Sequence, residues 1–240
     1  MKMKRWTIVH EDEDVIVINK PPLYLSIPDQ YDNGIPNIKG ILQERIPAIF
    51  VTHRLEKETS GLVLFTKNAE THKILSDQFE NKKFTKIYKA IVTNTPTEPV
   101  GQIDLAMNKT AHSKKGMALN AKGKAATTKY RILETFDNYC YLDIKLLTDR
   151  MHQIRLHMSS IYCPLACDSM YGDGQPVLLS RIKRKYRRSG DKENPLMDRT
   201  ALHASDLEFT HPRTNEKMSF SADLPKDMNA VLYQLRKSKK

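Results

Sequence analysis

The chain has 240 residues, and its 39 Lys and Arg outnumber its 28 Asp and Glu, which gives a formal net charge of +11. Such an excess favours a polyanionic partner, most often nucleic acid, although a soluble basic protein of another kind would share it. Cys140, Cys163 and Cys167 have neither the number nor the spacing of a disulfide framework or a zinc knuckle. The amino terminus turns acidic before an apolar leader forms, and no apolar run approaches the ~20 residues of a membrane span. These features exclude the secreted, disulfide-rich and membrane-spanning classes and predict a cytoplasmic protein.

The first half of the chain is predicted to contain strands in WTIVH and 14–19, a short helix over 37–46, a strand over 61–66 and a helix over 69–81. Pro21 ends the second strand, because proline cannot donate a hydrogen bond to a paired neighbour. The run 61–66 is almost entirely apolar, which indicates a strand that is buried on both faces. Leu75 and Phe79 are four residues apart and share one face of the predicted helix.

The second half is predicted to contain strands over 86–93, 127–134 and 139–147, a helix over 151–161, a hairpin of 202–209 with 217–221, and a helix over 225–235. Asn215 suits a left-handed position in the hairpin loop, and Pro225 suits the first turn of the last helix. Strands outnumber helices, and hairpins join many of them. We therefore predict an α+β fold with a largely antiparallel mixed sheet flanked by helices and loops, in one domain spanning 1–240 with a basic loop insertion around 175–199.

Four segments crowd polar side chains beside apolar strands. HRLEKETSG places Arg54 and Glu56 two residues apart at the start of a buried strand, which predicts either a solvated turn or an active-site loop. KIYKAIV carries Tyr88, for which core packing is an alternative explanation. DRMHQIRLHM mixes polar and apolar side chains more evenly than a core helix or a solvated helix, so a helix beginning at a functional site is indicated. ALHASDLEFTHP places two histidines beside apolar neighbours.

Together these segments resemble the RluA family of RNA pseudouridine synthases. HRLEKETSG resembles the family's His-Arg-Leu-Asp-x-x-Thr-Ser-Gly signature, KIYKAIV its Lys-x-Tyr-x-Ala strand, and KGKAATTKY its Gly-x-x-Ala-x-Thr-x-Tyr strand. DRMHQIRLHM, CDSMYG and LHASDLEFTHPRTNE are similar to three further motifs, and NKPP resembles the Asn-Lys-Pro opening. The motifs follow the family's order over nearly the whole chain, from about residue 11 to 225. Because this pattern begins close to residue 1, the small RNA-binding S4 domain that many relatives carry in front is not expected.

The resemblance implies a chemistry that explains the residue types. Pseudouridine formation breaks the N1–C1′ bond of uridine and rejoins the ribose to C5, without a metal or another cofactor. It requires a carboxylate as nucleophile or base, a cation that keeps the carboxylate ionised, and an aromatic ring that holds the flipped base. The resemblance assigns these roles to Glu56, Arg155 and Tyr88, and it implies that Arg54 enters the space that the target uridine leaves. We expect further RNA contacts from the predicted helix start and the basic insertion, namely from Arg150, His152, Gln153, Lys183, Arg184, Lys185, Arg187 and Arg188.

Residue 56 departs from the family signature, which has Asp where this chain has Glu. The carboxylate lies one methylene farther from the backbone, and a displacement of about 1 Å at a reacting atom can cost ~10²-fold in rate. Glu58 is a poor substitute, because it falls on the variable pair of the signature. Asp149 replaces the usual Gly before Arg150 and adds a negative charge that could compete for Arg155 or Arg150.

Two functions therefore compete. One is a monomeric RNA pseudouridine synthase that modifies ribosomal RNA, which family habit favours over transfer RNA. The other is a catalytically inactive RNA-binding paralogue, which would keep the fold after losing the reaction. A nucleic-acid-binding protein unrelated to modification is disfavoured, because affinity alone does not require the HRLE and HQIR segments. We predict the enzyme.

Overall fold

A computed structural model describes residues 6–30, 32, 34–110, 116–183, 186 and 193–239. The chain divides into two compact units. Unit 1 comprises Met1–Ile87 and His203–Asp223, and unit 2 comprises Tyr88–Leu202 and Leu224–Lys240. Both units combine a few helices with strands that pair mostly antiparallel, so the predicted α+β class is confirmed. The organisation as a single domain stays a prediction.

The strands in chain order are Thr7–Glu11 (β1), Val15–Lys20 (β2), Phe50–Val51 (β3), Ser60–Thr66 (β4), Thr85–Thr93 (β5), Val100–Asp104 (β6), Met107–Lys109 (β7), Met117–Leu119 (β8), Thr127–Thr135 (β9), Tyr139–Leu146 (β10), Leu202–Thr210 (β11) and Lys217–Ser221 (β12). The helices are Ile38–Gln43 (α1), Ala69–Glu80 (α2), Gln153–Ser160 (α3), Leu179–Ile182 (α4) and Lys226–Ser238 (α5). None of the helices in the described ranges is long and apolar enough to cross a bilayer.

The strands of unit 1 follow the order β1-β2-β4-β11, with β3 paired to β4 and β12 paired to β11. Strand β4 is antiparallel to β2 and parallel to β11, where Gly61 lies opposite Ala204. Every residue of β4 is buried, as its apolar composition predicts, because a strand with neighbours on both edges and covered faces exposes no side chain. The close approach to β11 requires glycine: Gly61 has a φ of +114°, and a Cβ there would lie 2.1 Å from the Ala204 carbonyl oxygen.

Asparagine caps begin the first two helices of unit 1. The Asn37 side chain accepts the N–H of Gly40 at 2.7 Å, and the Asn68 side chain accepts the N–H of Thr71 at 2.8 Å, which satisfies donors that have no partner within the helix. Leu75 of α2 packs against apolar side chains from β2, β4 and β11 and from the segment before β5. This core consists of Val15, Val17, Leu62, Leu64, Leu75, Phe84, Leu207 and Phe209.

The strands of unit 2 follow the order β5-β10-β9-β6, and β7 forms a separate pair with β8. Strand β9 is antiparallel to both β10 and β6. The sequence did not predict β6, β7 or β8, because these strands are three to five residues long and mostly exposed, without an apolar alternation. Their structure depends on backbone pairing with a partner strand rather than on their own side chains.

Two helices of unit 2 begin close to their predicted positions. Helix α5 begins after Pro225 and buries Met228, Val231, Leu232 and Leu235, which recur at helical spacing and join the core of the unit. Helix α3 begins at Gln153, after His152 takes a left-handed φ of 58°. That conformation ends the preceding loop, so the helix begins two residues later than predicted.

Candidate active site

A buried lysine supports the loop that carries Glu56. The side chain of Lys20 is fully buried, and its ammonium donates hydrogen bonds to the carbonyl oxygens of Pro21, Tyr24 and Lys57 at 3.2, 2.7 and 3.4 Å. The N–H of Leu23 donates to the same Lys57 oxygen at 2.7 Å. The NKPP segment therefore holds the backbone on the carboxyl-terminal side of Glu56.

A serine holds the other side of Glu56. The Ser26 hydroxyl accepts the N–H of Leu55 at 3.0 Å and donates to the carbonyl oxygen of the same residue at 3.1 Å. The carbonyl oxygen of Glu56 itself accepts the N–H of Thr59 at 3.1 Å. The backbone of Glu56 is thus fixed from both directions, while its side chain is half-buried. Such rigidity suits a carboxylate that must be aligned with a reacting atom.

The two residues at the start of HRLE have opposite environments. His53 is buried, its Nε2 accepts the N–H of Leu64 at 3.3 Å, and its ring stacks on Phe79. Burial, together with the charge of Lys86, lowers the pKa of His53 to about 3, so the imidazole is neutral and structural. Arg54 is exposed. The HRLEKETSG segment is therefore a loop anchored by a buried histidine and not simply a solvated turn.

Tyr88 lies on β5 at the start of unit 2. Its side chain is 4% exposed, and Lys86 and Ala90, two residues to either side, are also buried, as the alternation along a strand requires. The predicted contact of the Tyr88 ring with a flipped base stays a prediction.

Arg155 forms a buried, two-pronged ion pair within unit 2. Its Nε and Nη2 donate to the two carboxylate oxygens of Asp168, both at 2.7 Å, and the Asp168 side chain is completely buried. The guanidinium carbon lies 5.3 Å from the centre of the Tyr171 ring. Burial opposes ionisation of Asp168, but the hydrogen bonds and charge of Arg155 outweigh it and hold the pKa of this carboxyl below its ordinary value.

Asp168 and Tyr171 are residues to which the sequence assigned no role. Both belong to the CDSMYG motif, and the available signal was an acidic residue directly after the apolar stretch Leu165–Ala166–Cys167. A buried acid requires a cation or several donors as partners. The sequence could not indicate that Arg155 is this cation.

Gln153 belongs to the interior of unit 2. Its amide oxygen accepts from the Thr148 hydroxyl at 2.9 Å and from the Arg150 N–H at 3.1 Å, and its amide nitrogen donates to Thr127 and Thr128. The side chain is 2% exposed. Both ends of the amide are therefore used within the fold, and this geometry does not favour the RNA contact predicted for Gln153.

His157 continues this polar network from α3 to β9. Its Nδ1 accepts from the Thr128 hydroxyl at 3.0 Å, and its Nε2 donates to the carbonyl oxygen of Leu105 at 2.9 Å. Burial lowers the pKa of His157, which favours the neutral ring that this pattern of one donor and one acceptor requires. The segments HQIRLH and KGKAATTKY are thus parts of one hydrogen-bonded network.

Two other predicted RNA-binding residues, Arg150 and His152, lie just before α3 and are partly exposed. Arg150 donates from Nε to the Ala125 carbonyl oxygen at 3.4 Å, and His152 places Nδ1 2.9 Å from the Tyr171 hydroxyl. The same hydroxyl accepts the N–H of Met117 on β8 at 2.8 Å. Lys183 follows α4, whereas Arg184, Lys185, Arg187 and Arg188 lie outside the described residues. RNA contacts at all of these positions stay predictions.

The histidine of the LHAS segment is a structural residue of unit 1. His203 Nδ1 accepts from the Ser60 hydroxyl at 3.0 Å, and Nε2 donates to the Ala222 carbonyl oxygen at 3.1 Å. Ser60 belongs to the HRLEKETSG segment, 143 residues earlier in the chain. These two motifs therefore meet through a hydrogen bond that ties β4 to β11.

A cluster of Asp12, Asp14 and His211 has three potential ligand atoms within 4.8 Å of one another. His211 Nδ1 accepts the backbone N–H groups of Arg213 and Thr214 at 3.3 and 3.2 Å, so the ring proton of the neutral tautomer is on Nε2, which faces Asp12 at 3.3 Å. Arg213 also places Nε 2.7 Å from Asp14. A protonated Nε2 cannot ligate a metal, and a guanidinium already neutralises the acid. The cluster is an ion-pair network in character.

Comparison with protein families gives a match over residues 14–160, to the model described as RNA pseudouridylate synthase. The chain belongs to the RNA pseudouridylate synthase family. It is 34% identical over 241 residues to an RNA pseudouridine synthase of Bacillus subtilis, YlyB, and the alignment covers 96% of this chain and 73% of the relative. It is 36% identical over 239 residues to ribosomal large subunit pseudouridine synthase D of Haemophilus influenzae, covering 95% and 70%.

Solved structures of the family have the same fold. The human RNA pseudouridylate synthase domain containing 4 superposes with a TM-score of 0.74 at 21% identity, covering 95% of this chain and 92% of that one. The human domain containing 1 gives a TM-score of 0.70 at 23% identity, covering 92% and 84%. The predicted resemblance to the pseudouridine synthases is thus confirmed, and with it the enzyme class: an isomerase that acts on uridine in RNA.

Proposed function

We propose that this protein converts uridine to pseudouridine in ribosomal RNA, with Glu56 as the catalytic carboxylate. The observation that carries the proposal is the fixed backbone of the HRLE loop, which presents a half-buried carboxylate at the position of the family's aspartate. A loop retained only for shape would not require an acidic side chain there. The choice of ribosomal RNA rests on the names of relatives such as the H. influenzae enzyme.

The proposed mechanism assigns one task to each residue. Glu56 attacks as nucleophile or acts as base while the N1–C1′ bond breaks, the ribose rejoins at C5, and the proton of C5 is released as N1 regains one. Arg155 is the cation of the site and stabilises the negative charge on which the reaction depends. Tyr88 packs against the flipped base, and Arg54 enters the space that the base leaves in the RNA.

Charge supports RNA as the partner. The chain carries 39 Lys and Arg against 28 Asp and Glu, and a cationic surface attracts a phosphate backbone whatever its sequence. We propose that Arg150, His152 and the basic insertion with Lys183 contribute to this affinity. We also propose that the protein is cytoplasmic and monomeric, which agrees with ribosomal RNA as its substrate.

The test is release of tritium from RNA labelled at C5 of uridine, because formation of the C5–C1′ bond expels the label. Glu56→Gln should abolish release and leave the Kd for RNA nearly unchanged, since the amide keeps the shape and loses the charge. Glu58→Gln makes the same chemical change two residues away and is the matched control, with release close to wild type.

Glu56→Asp distinguishes an adapted site from an inactive one. In a site adapted to Glu, the shorter side chain misplaces the carboxylate, and a displacement of about 1 Å predicts a loss of ~10²-fold. Wild-type protein that releases no label from any RNA pool, together with a Glu56→Asp variant that releases it readily, would replace the proposal with an inactive RNA-binding paralogue.

A further inference from the structure

Asp168 is the centre of a compact set of contacts around Arg155. One carboxylate oxygen accepts from Arg155 Nε at 2.7 Å. The other accepts from Arg155 Nη2 at 2.7 Å and from the backbone N–H groups of Met170 and Tyr171 at 2.9 and 3.0 Å. The carbonyl oxygen of Asp168 also accepts the N–H of Gly172 at 3.0 Å. The turn is therefore folded around its own acidic residue.

The geometry restricts the guanidinium in two ways. Two parallel hydrogen bonds fix the plane of the Arg155 fork and the edge that faces Asp168, because a single bond would allow rotation. The guanidinium carbon also lies over the Tyr171 ring, 5.3 Å from its centre, in a cation–π contact. The Tyr171 hydroxyl is itself held, by Met117 N–H at 2.8 Å and beside His152 Nδ1 at 2.9 Å. The orientation of the guanidinium within unit 2 is thereby fixed.

We propose that Asp168 is a positioning residue, which fixes the Arg155 guanidinium in the orientation that the reaction requires. The proposal rests on the proposed function, in which Arg155 is the cation of the site. Electrostatic catalysis depends on donors that are oriented before the reaction, since reorientation during the reaction would cost free energy. Asp168 contacts no reacting atom and acts only through Arg155.

The proposal predicts a specific kinetic pattern. Asp168→Asn loses one of the two acceptors, so Arg155 can turn by an angle that moves its charge by about 1 Å, and the single-turnover rate should fall by ~10²-fold. The Kd for RNA should change less than about threefold, because Asp168 is buried and does not reach the RNA. Asp168→Glu keeps the charge and should restore part of the rate.

A second arginine–aspartate pair in unit 2 is the matched control. Arg199 binds Asp227 through two hydrogen bonds of 2.8 and 2.9 Å, and Arg199 is 4% exposed. Asp227→Asn should lower thermal stability as Asp168→Asn does, yet leave the single-turnover rate of the folded protein unchanged. Equal losses of rate in the two variants would show that Asp168 matters only for stability and would overturn the proposal.

A double mutant tests whether Asp168 acts through Arg155. Lysine presents a point charge without a fork, so Asp168 cannot orient it in the same way. In an Arg155→Lys background, Asp168→Asn should therefore reduce the rate by less than about threefold, although it costs ~10²-fold in wild type. Losses that multiply fully would mean that the two residues act independently, and the proposal would be wrong.

Side-chain NMR of the wild-type protein covers the case in which Asp168→Asn does not fold. The Arg155 Nε–H should give a resonance that exchanges slowly with solvent, and rapid exchange would overturn the proposal. The kinetic results also separate the two proposals. Full rate in Asp168→Asn refutes the positioning role and leaves the proposed function intact, whereas an inactive wild type refutes the proposed function and the positioning role with it.

Discussion

His53, the first residue of the loop that carries Glu56, should make the protein less stable in mild acid. Its Nε2 accepts a backbone hydrogen bond from Leu64, and its side chain is 5% exposed, so the folded state resists protonation. The pKa falls from the ordinary 6.5 to about 3, chiefly through burial and further through the charge of Lys86. Between these pH values the unfolded chain binds a proton that the folded protein does not. The stabilisation is fully present above pH 6.5 and is lost progressively as the pH falls towards 3.

The magnitude follows from the width of this window. Each unit of pKa difference corresponds to about 1.4 kcal/mol, so the full shift is worth about 5 kcal/mol below pH 3. At pH 5, which is 1.5 units below the unfolded pKa, the loss relative to pH 7.5 should be about 2 kcal/mol. Replacing the imidazole by a side chain that cannot titrate removes this pH dependence, whatever the replacement costs in packing.

Urea unfolding at pH 7.5, 6 and 5, followed by far-ultraviolet circular dichroism, measures this effect for wild type and His53→Gln. The free energy of unfolding of His53→Gln should fall less from pH 7.5 to 5, by about 2 kcal/mol. Leu55→Val weakens the same loop without removing a titrating group, and its curve should run parallel to wild type. A His53→Gln curve that is also parallel would refute the assignment of a neutral, buried His53.

Two further predictions concern the fold and the RNA. Gly61→Ala should leave little folded protein or lower the free energy of unfolding by more than about 4 kcal/mol, because its Cβ would lie 2.1 Å from the Ala204 carbonyl oxygen. The control Gly34→Ala, where the nearest atom is a side-chain oxygen at 3.2 Å, should fold normally. Equal yields of the two variants would contradict this reasoning. Replacing five cations of the basic insertion by Ser should flatten the dependence of RNA affinity on salt, by about 0.7 to 0.9 in slope per lost phosphate contact, and an unchanged slope would show that these five side chains do not touch RNA. These cations are Lys183, Arg184, Lys185, Arg187 and Arg188.

The elements that the sequence predicted correctly are those whose side chains have a clear periodicity. Strand β4 is an uninterrupted apolar run, α5 buries a residue at each helical turn, and Asn215 takes the left-handed φ of 59° expected in its hairpin loop. Strands β6 to β8 have no such pattern and were missed. Their residues are strands because a neighbouring backbone supplies hydrogen bonds, and that information is not local.

The same division applies to the candidate site. The sequence by itself determined the fold class, the family and the loop on which Glu56 lies, because these depend on short motifs and on the order in which they occur. Only the tertiary structure decided that Arg155 pairs with Asp168, that the amide of Gln153 is used internally and that Ser60 bonds to His203. A motif specifies which groups are present, whereas their partners depend on the path of the chain. A buried charge or amide must find a partner of matching geometry wherever the fold places one.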